Sequence, residues 1–283
     1  MAKKQKKLLH PLRAYKNPQF LNSKDARPIR ILSEFLEPLS RFNYYRIKDI
    51  IVFFGSARIQ SPSSARKRLA AVKVKLKGRK KINPNLTEEY RKATIAVEMS
   101  AYYKDAETLA YLLTKWSQSL KERNRFVVCT GGGPGIMEGA NKGALMAKGR
   151  SIGLNIGLPL EQYPNKYISP ELNFEFHYFF MRKYWFMYLG KALVAFPGGF
   201  GTLDELMELL TLLQTRKIKK KMTVILYGKK FWEHVVNFSL LEDYGMISGG
   251  DFELFKFADT PQEAFEILRN GLTKNYLQHH VWK

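Results

Sequence analysis

The residues best placed to do chemistry lie in Pro197-Gly198-Gly199-Phe200-Gly201-Thr202-Leu203-Asp204-Glu205. An apolar run from Ala192 to Phe196 leads in and an amphipathic run from Leu206 to Gln214 leads out, so the stretch reads as strand, tight glycine turn, helix. Glycines let a backbone come close to a ligand, and the first turn of a helix offers unpaired N–H groups and the positive end of the helix dipole. That combination suits a phosphate. Thr202 stands where an N-cap, or a phosphate-binding hydroxyl, would stand. Glu205 follows three residues later, so the two also fit a capping box, and a purely structural role for Glu205 competes with a chemical one.

A second turn, Thr130-Gly131-Gly132-Gly133-Pro134-Gly135, follows the apolar run Arg125 to Cys129 and opens a helix from Ile136 to about Ala147. It lacks the G-x-G-x-x-G spacing of a dinucleotide fingerprint, because position 136 is isoleucine, and it lacks the G-K-[ST] ending of an ATP-hydrolysing loop. One such turn is a weak signal, but two at the carboxyl ends of strands in one sheet can share a ligand. The other reactive side chains carry less. Cys129 has no histidine partner and reads as a buried structural thiol. His177 sits among Phe174, Phe176, Tyr178 and Phe179 and reads as a packed or interface residue. His279-His280 has no carboxylate or cysteine at ligand spacing, so no metal site is expected.

The elements that must position the two turns follow from the pattern of apolar residues. Ile50 to Phe54 predicts a first central strand, ending in Gly55-Ser56-Ala57-Arg58. Strands are also expected at 125–129, 151–156, 172–176, 192–196, 222–227 and 254–258. Helices are expected at 29–42, 136–147, 179–189, from 206 to 214, 231–238 and from Thr260-Pro261-Gln262-Glu263, a capping box, to about Arg269. Strands alternating with helices imply an α/β fold with a doubly wound, mostly parallel sheet and helices on both faces. In such sheets ligands bind outside the carboxyl ends of the strands where strand order reverses.

A chain of 283 residues with 45% hydrophobic content can bury a full core, and one cysteine excludes internal disulfides and cysteine-based metal clusters. With no apolar leader and no uncharged run of membrane-spanning length, a cytoplasmic protein with no membrane partner is expected. The formal charge of +22 is unevenly placed. Residues 1–24 carry seven Lys/Arg and no acid, and residues 58–92 carry twelve against Glu88 and Glu89. The first segment reads as a flexible basic tail and 59–92 as a basic helical insertion, with 25–283 forming a single α/β domain around it. Both segments could hold a nucleic acid, though a solvated, solubilising surface is the simpler reading.

Three motifs then carry a resemblance. Thr130 to Glu138, Met181-Arg182-Lys183 and Pro197 to Glu205 resemble the motifs of the LOG ("lonely guy") family, in particular its larger bacterial branch, over roughly residues 50–235. The resemblance implies a Rossmann-like phosphoribohydrolase that releases a free base and ribose 5-phosphate from a nucleoside 5′-monophosphate, either AMP-like or a cytokinin riboside monophosphate. It implies that Arg182 and Glu205 are catalytic and that Gly131, Gly132, Gly133, Gly198, Gly199, Gly201 and Thr202 hold the phosphate. Ser56 and Lys183 are added as phosphate contacts and Glu138 as a substrate contact or helix-dipole residue. A homodimer with sites near its interface is also implied.

The chemistry agrees with these residue types. Breaking an N-glycosidic bond builds positive charge on the ribose, which a carboxylate stabilises while it holds hydroxyls or orients water. An arginine pairs with phosphate or orients the carboxylate. No metal or redox cofactor is called for. Two other readings stay open: a non-catalytic carrier of a phosphorylated ligand such as molybdenum cofactor, as in related Rossmann proteins, and a nucleic-acid-associated protein acting through 1–24 and 58–92. A lysine decarboxylase, a label some relatives carry, is not expected, because no lysine has a convincing pyridoxal-phosphate setting.

Overall fold

Strand β1 (Ile50–Phe54) is apolar at every position and buried at every position, as a strand covered on both faces must be. Its side chains alternate. Ile50, Val52 and Phe54 enter one core, and Ile51 and Phe53 enter the other. The computed structural model describes residues 10–77, 83–121, 125–158 and 163–278. The first nine residues, residues 78–82 of the basic insertion and the His279-His280 pair lie outside the described residues.

In chain order, α1 (Pro18–Leu21) and α2 (Arg27–Tyr44) precede β1. Then come α3 (Pro62–Leu76), α4 (Pro84–Ser119), β2 (Val127–Thr130), α5 (Ile136–Met146), β3 (Ser151–Ile156), β4 (Asn173–Phe176), α6 (Phe179–Leu189) and β5 (Gly190–Ala195). The chain ends with α7 (Phe200–Gln214), β6 (Thr223–Tyr227), α8 (Lys229–Val235), α9 (Phe238–Asp243), β7 (Lys256–Ala258) and α10 (Pro261–Leu272). The seven strands form one all-parallel sheet in the order β4-β3-β2-β1-β5-β6-β7. Helices α2, α6, α7 and α8 cover one face through Phe42, Trp185, Leu206 and Trp232. Helices α4, α5 and α10 cover the other through Leu109, Ala140 and Leu268. The fold is the doubly wound Rossmann-like one that the sequence predicts.

The order of strands reverses at β1. From it the sheet runs through β2, β3 and β4 in one direction and through β5, β6 and β7 in the other. The crevice outside the carboxyl ends of β1 and β5 is therefore the expected place for a ligand.

The insertion after β1 is a helical hairpin, as its pattern suggests. Ser61 caps α3 and Asn83 caps α4, each with proline at the start of the helix. Val72, Leu86 and Ala93 form a small core between the two, flanked by Leu69 and Leu76. The first half of α4 belongs to this hairpin. Its second half buries Leu109 and Leu113 against the sheet, so one helix of 36 residues joins the two parts.

Some elements differ from expectation. Within the basic tail Asn17 accepts hydrogen bonds from the N–H groups of Gln19 and Phe20 and caps α1. The helix expected at 231–238 is two helices, because Val236 is extended and Asn237 starts a new one by accepting from Leu240 N–H. At Thr260 only half of the capping box forms. Its hydroxyl accepts from Glu263 N–H, while the Glu263 carboxylate takes the N–H of Asp259 instead.

Candidate active site

Helix α7 begins at Phe200, with Gly199 as N-cap and no side chain capping it. Thr202 is thus inside the first turn and is not the cap. Its N–H and that of Leu203 both reach Gly199 C=O at 3.0 Å. Glu205 lies one turn further in and makes no capping box. Both side chains are buried. The capping-box reading of Glu205 therefore fails.

The turn before α7 is bare on its outer side. A methyl group added to Gly199 or Gly201 would meet nothing within 4 Å. Gly198 packs on Thr202, where an added Cβ would lie 2.1 Å from its hydroxyl. The neighbouring loop at the end of β1 is fixed from both sides: Ser56 N–H donates to Pro197 C=O at 3.0 Å, and Ser56 C=O accepts from Ile136 N–H at 3.2 Å. Ser56, Gly131, Gly198, Gly199, Gly201 and Thr202 all line one cleft of about 670 Å³. Arg182 and Glu205 line the same cleft, so the structure brings the two expected catalytic residues together.

Arg182 comes from α6, the helix that leads into β5, and its guanidinium lies over Phe179 and Phe186 at 5.1 and 5.8 Å from the ring centroids. Its Nη2 is 3.5 Å from Glu205 Oε1, a long contact for such a pair. Burial dominates both groups. It pushes the Glu205 carboxyl up to about 7, against the pull of Lys183 and Arg182. It also lowers Arg182 despite the attraction of Glu205. Each keeps a buried atom with no hydrogen-bond partner, Arg182 Nε and Glu205 Oε2. Unpartnered buried polar atoms are costly, and these two belong to residues that line the open cleft.

Other expected residues lie elsewhere. Lys183 is one helical position from Arg182 and points outside the cleft, to Asp204 at 2.8 Å and Glu208 at 2.6 Å, with Glu205 Oε2 at 4.0 Å. Burial would lower this lysine, but Asp204 and Glu208 raise it, and its charge is already balanced. Gly132 and Gly133 are buried in their own turn, their carbonyls taken by the Asn165 side chain at 3.0 Å each. Glu138 accepts a hydrogen bond from the Tyr103 hydroxyl at 2.8 Å. Cys129 is buried, and burial pushes its thiol up. His177 is exposed rather than packed, edge-on to Tyr178. Among the described residues no group of His, Cys, Asp and Glu could hold a metal ion, and no helix is long and apolar enough to cross a membrane.

Sequence reasoning missed Arg58. It lines the cleft, its N–H donates to Ser56 Oγ at 3.1 Å, and its guanidinium is exposed. Arg182 is offset by Glu205, whereas Arg58 has no carboxylate partner among the described residues. The signal was its place in Gly55-Ser56-Ala57-Arg58, directly after the first strand, but its charge was assigned to the basic insertion. Phe200, 94% exposed at the rim of the cleft, was also passed over as a site residue.

Comparison with known proteins bears on the family. Solved structures of similar fold include the molybdenum cofactor binding protein of Rippkaea orientalis, at 17% identity over 79% of this chain and 96% of that one, with a TM-score of 0.48. They also include the molybdenum cofactor carrier protein of Chlamydomonas reinhardtii, at 17% identity over 80% and 99%, with a TM-score of 0.44. Likeness at that level says nothing about what this cleft binds. A comparison with curated proteins found no match. Residues 137–268 match the family described as "Possible lysine decarboxylase", which is the LOG domain. The match spans α5 to α10, just under half of the chain, and takes in Arg182, the bare glycine turn and Glu205, in line with the LOG-family resemblance of those motifs.

Proposed function

We propose that the protein is a nucleoside 5′-monophosphate phosphoribohydrolase. The observation that carries this reading is the buried Arg182–Glu205 pair, each member with an unpartnered atom, set against an uncapped glycine turn at the strand-order switch. The 5′-phosphate sits on the first turn of α7, with Arg58 and the Ser56 hydroxyl beside it. Anchored there, the ribose is held with its anomeric carbon near Glu205, and binding energy from the phosphate positions the bond to be broken.

The N-glycosidic bond breaks with both electrons leaving to the base. The ribose becomes oxocarbenium-like, and the ionised Glu205 carboxylate stabilises that charge. A water oxygen then bonds to the anomeric carbon and loses a proton, and the base departs carrying one. A carboxyl with its midpoint near 7 can take the proton from water and pass it on at neutral pH. Arg182 orients the carboxylate. The exposed ring of Phe200 offers the base a surface to stack on.

The test is to incubate the protein with AMP, GMP, CMP, UMP and a cytokinin riboside monophosphate and follow free base and ribose 5-phosphate by chromatography. Release of both in equal amounts from at least one substrate is expected. No release from any of them, with tight binding of a phosphorylated ligand, would overturn the hydrolase and leave a carrier.

A further inference from the structure

The charge of the basic hairpin is arranged, and the proposed hydrolase does not use it. Helix α3 has 15 residues and spans roughly 22 Å. At about 100° per residue, Arg66, Lys73 and Lys77 form one row along it, and Arg68 and Lys75 form a second row on roughly the opposite flank. All five are exposed. Between the rows lie the exposed Ala70, Ala71 and Val74, with Lys67 among them. The remaining side, through Leu69, Val72 and Leu76, is packed on α4. Of these cations only Lys75 has a carboxylate partner among the described residues, Glu89 at 2.8 Å.

No acid stands in the first turn of α3, and of its cations only Lys73 and Lys75, in the last turn, complement the helix dipole. A surface made only for solubility mixes signs. Two flanking rows of cations with small side chains between them match a groove edged by phosphates. A helix of roughly 10–12 Å diameter fits the major groove of B-form DNA, about 12 Å wide. The deep, narrow major groove of A-form RNA excludes it. A membrane surface is disfavoured because the apolar side of α3 is already buried against α4.

We propose that the outer face of α3 docks in the major groove of duplex DNA, with its two cation rows on the flanking phosphates. The inference is independent of the cleft chemistry. It is tested with the full chain and a fluorescein-labelled DNA duplex of about 20 base pairs, by anisotropy between about 50 and 300 mM KCl. Log affinity should fall linearly with log salt, with a slope near −4 to −5 if all five cations meet phosphates. Replacing one row (Arg66→Gln, Lys73→Gln, Lys77→Gln) should reduce the slope by roughly 3, and replacing the other (Arg68→Gln, Lys75→Gln) by roughly 2. All five side chains are exposed, so the fold is retained, which circular dichroism checks. Absence of salt-dependent binding, slopes unchanged in both variants, or equal or tighter binding to an RNA duplex or to phosphatidylserine vesicles would overturn the proposal.

Discussion

The two glycine turns look alike in sequence and are built for opposite purposes. The turn after β2 is filled from within. Gly132 has φ of +74°, and a Cβ there would lie 2.0 Å from Asn155 Oδ1. Its N–H donates to Thr130 Oγ1 at 2.9 Å and its C=O accepts from Asn165 N–H at 2.8 Å. Gly135, with φ of +73°, presses on Ser56 C=O. Only Gly131 of this turn's glycines reaches the cleft. The turn after β5 is empty on its outer side and uncapped, and it stands over a buried carboxyl and guanidinium. Glycines in the first let the chain bend tightly around its own side chains, and on the function proposed above those in the second let a phosphate come close.

Breaking this comparison should give effects of very different size. The largest is expected at Glu205. Glu205→Gln keeps the shape and should lower base release by roughly a thousandfold, measured by chromatography of the products. Next comes the filled turn. Gly132→Ala puts a methyl group onto Asn155 in a backbone conformation that alanine rarely adopts, and should cost about 3 kcal/mol of stability by urea unfolding. A wild-type midpoint in this variant would show that the turn can open.

The buried carboxyl also sets a pH dependence. Glu205 is pushed from the usual 4.5 up to about 7, so the folded state holds its proton more tightly than the unfolded chain. Its contribution is fully present below about pH 4.5 and is lost as pH rises through about 7, a change of about 3 kcal/mol. Glu205→Gln removes that loss. Thermal melts should show the variant gaining on the wild type between pH 5 and pH 8, and a constant difference would contradict the burial argument.

At the rim, Arg58→Gln should raise KM for a nucleoside monophosphate roughly tenfold or more with kcat nearly kept, because a charged hydrogen bond to the anchor is lost. The smallest effect separates the turns most sharply. Gly201→Ala has open space and lies in the first turn of a helix, so stability should rise by less than about 1 kcal/mol while KM rises. A fall in both would mean that the open turn is structural after all.

The sheet and its two turns were legible because long alternations of apolar and amphipathic runs leave few arrangements. The five apolar residues of β1 and the run into Pro197 fix where the crevice must be. What was not legible depends on contacts distant in sequence. Nothing near Gly132 announces that Asn155 and Asn165 will fill its turn. Nothing at Lys183 announces that Asp204 and Glu208 will take its charge, although Arg182 beside it keeps its place at the cleft. Of the two readings of Thr202 only the N-cap fails, because Gly199 and Gly201 make the start of α7 look like loop, when the helix already begins at Phe200.

The central claim is that the bare turn after β5 holds the phosphate and the filled turn after β2 does not. The most direct measurement titrates ribose 5-phosphate into the isotope-labelled protein and follows backbone amide resonances. The account predicts saturable shifts at Phe200, Gly201 and Thr202, with Gly132 and Gly133 unmoved. Shifts centred on Gly132 and Gly133, or none at the start of α7, would contradict it.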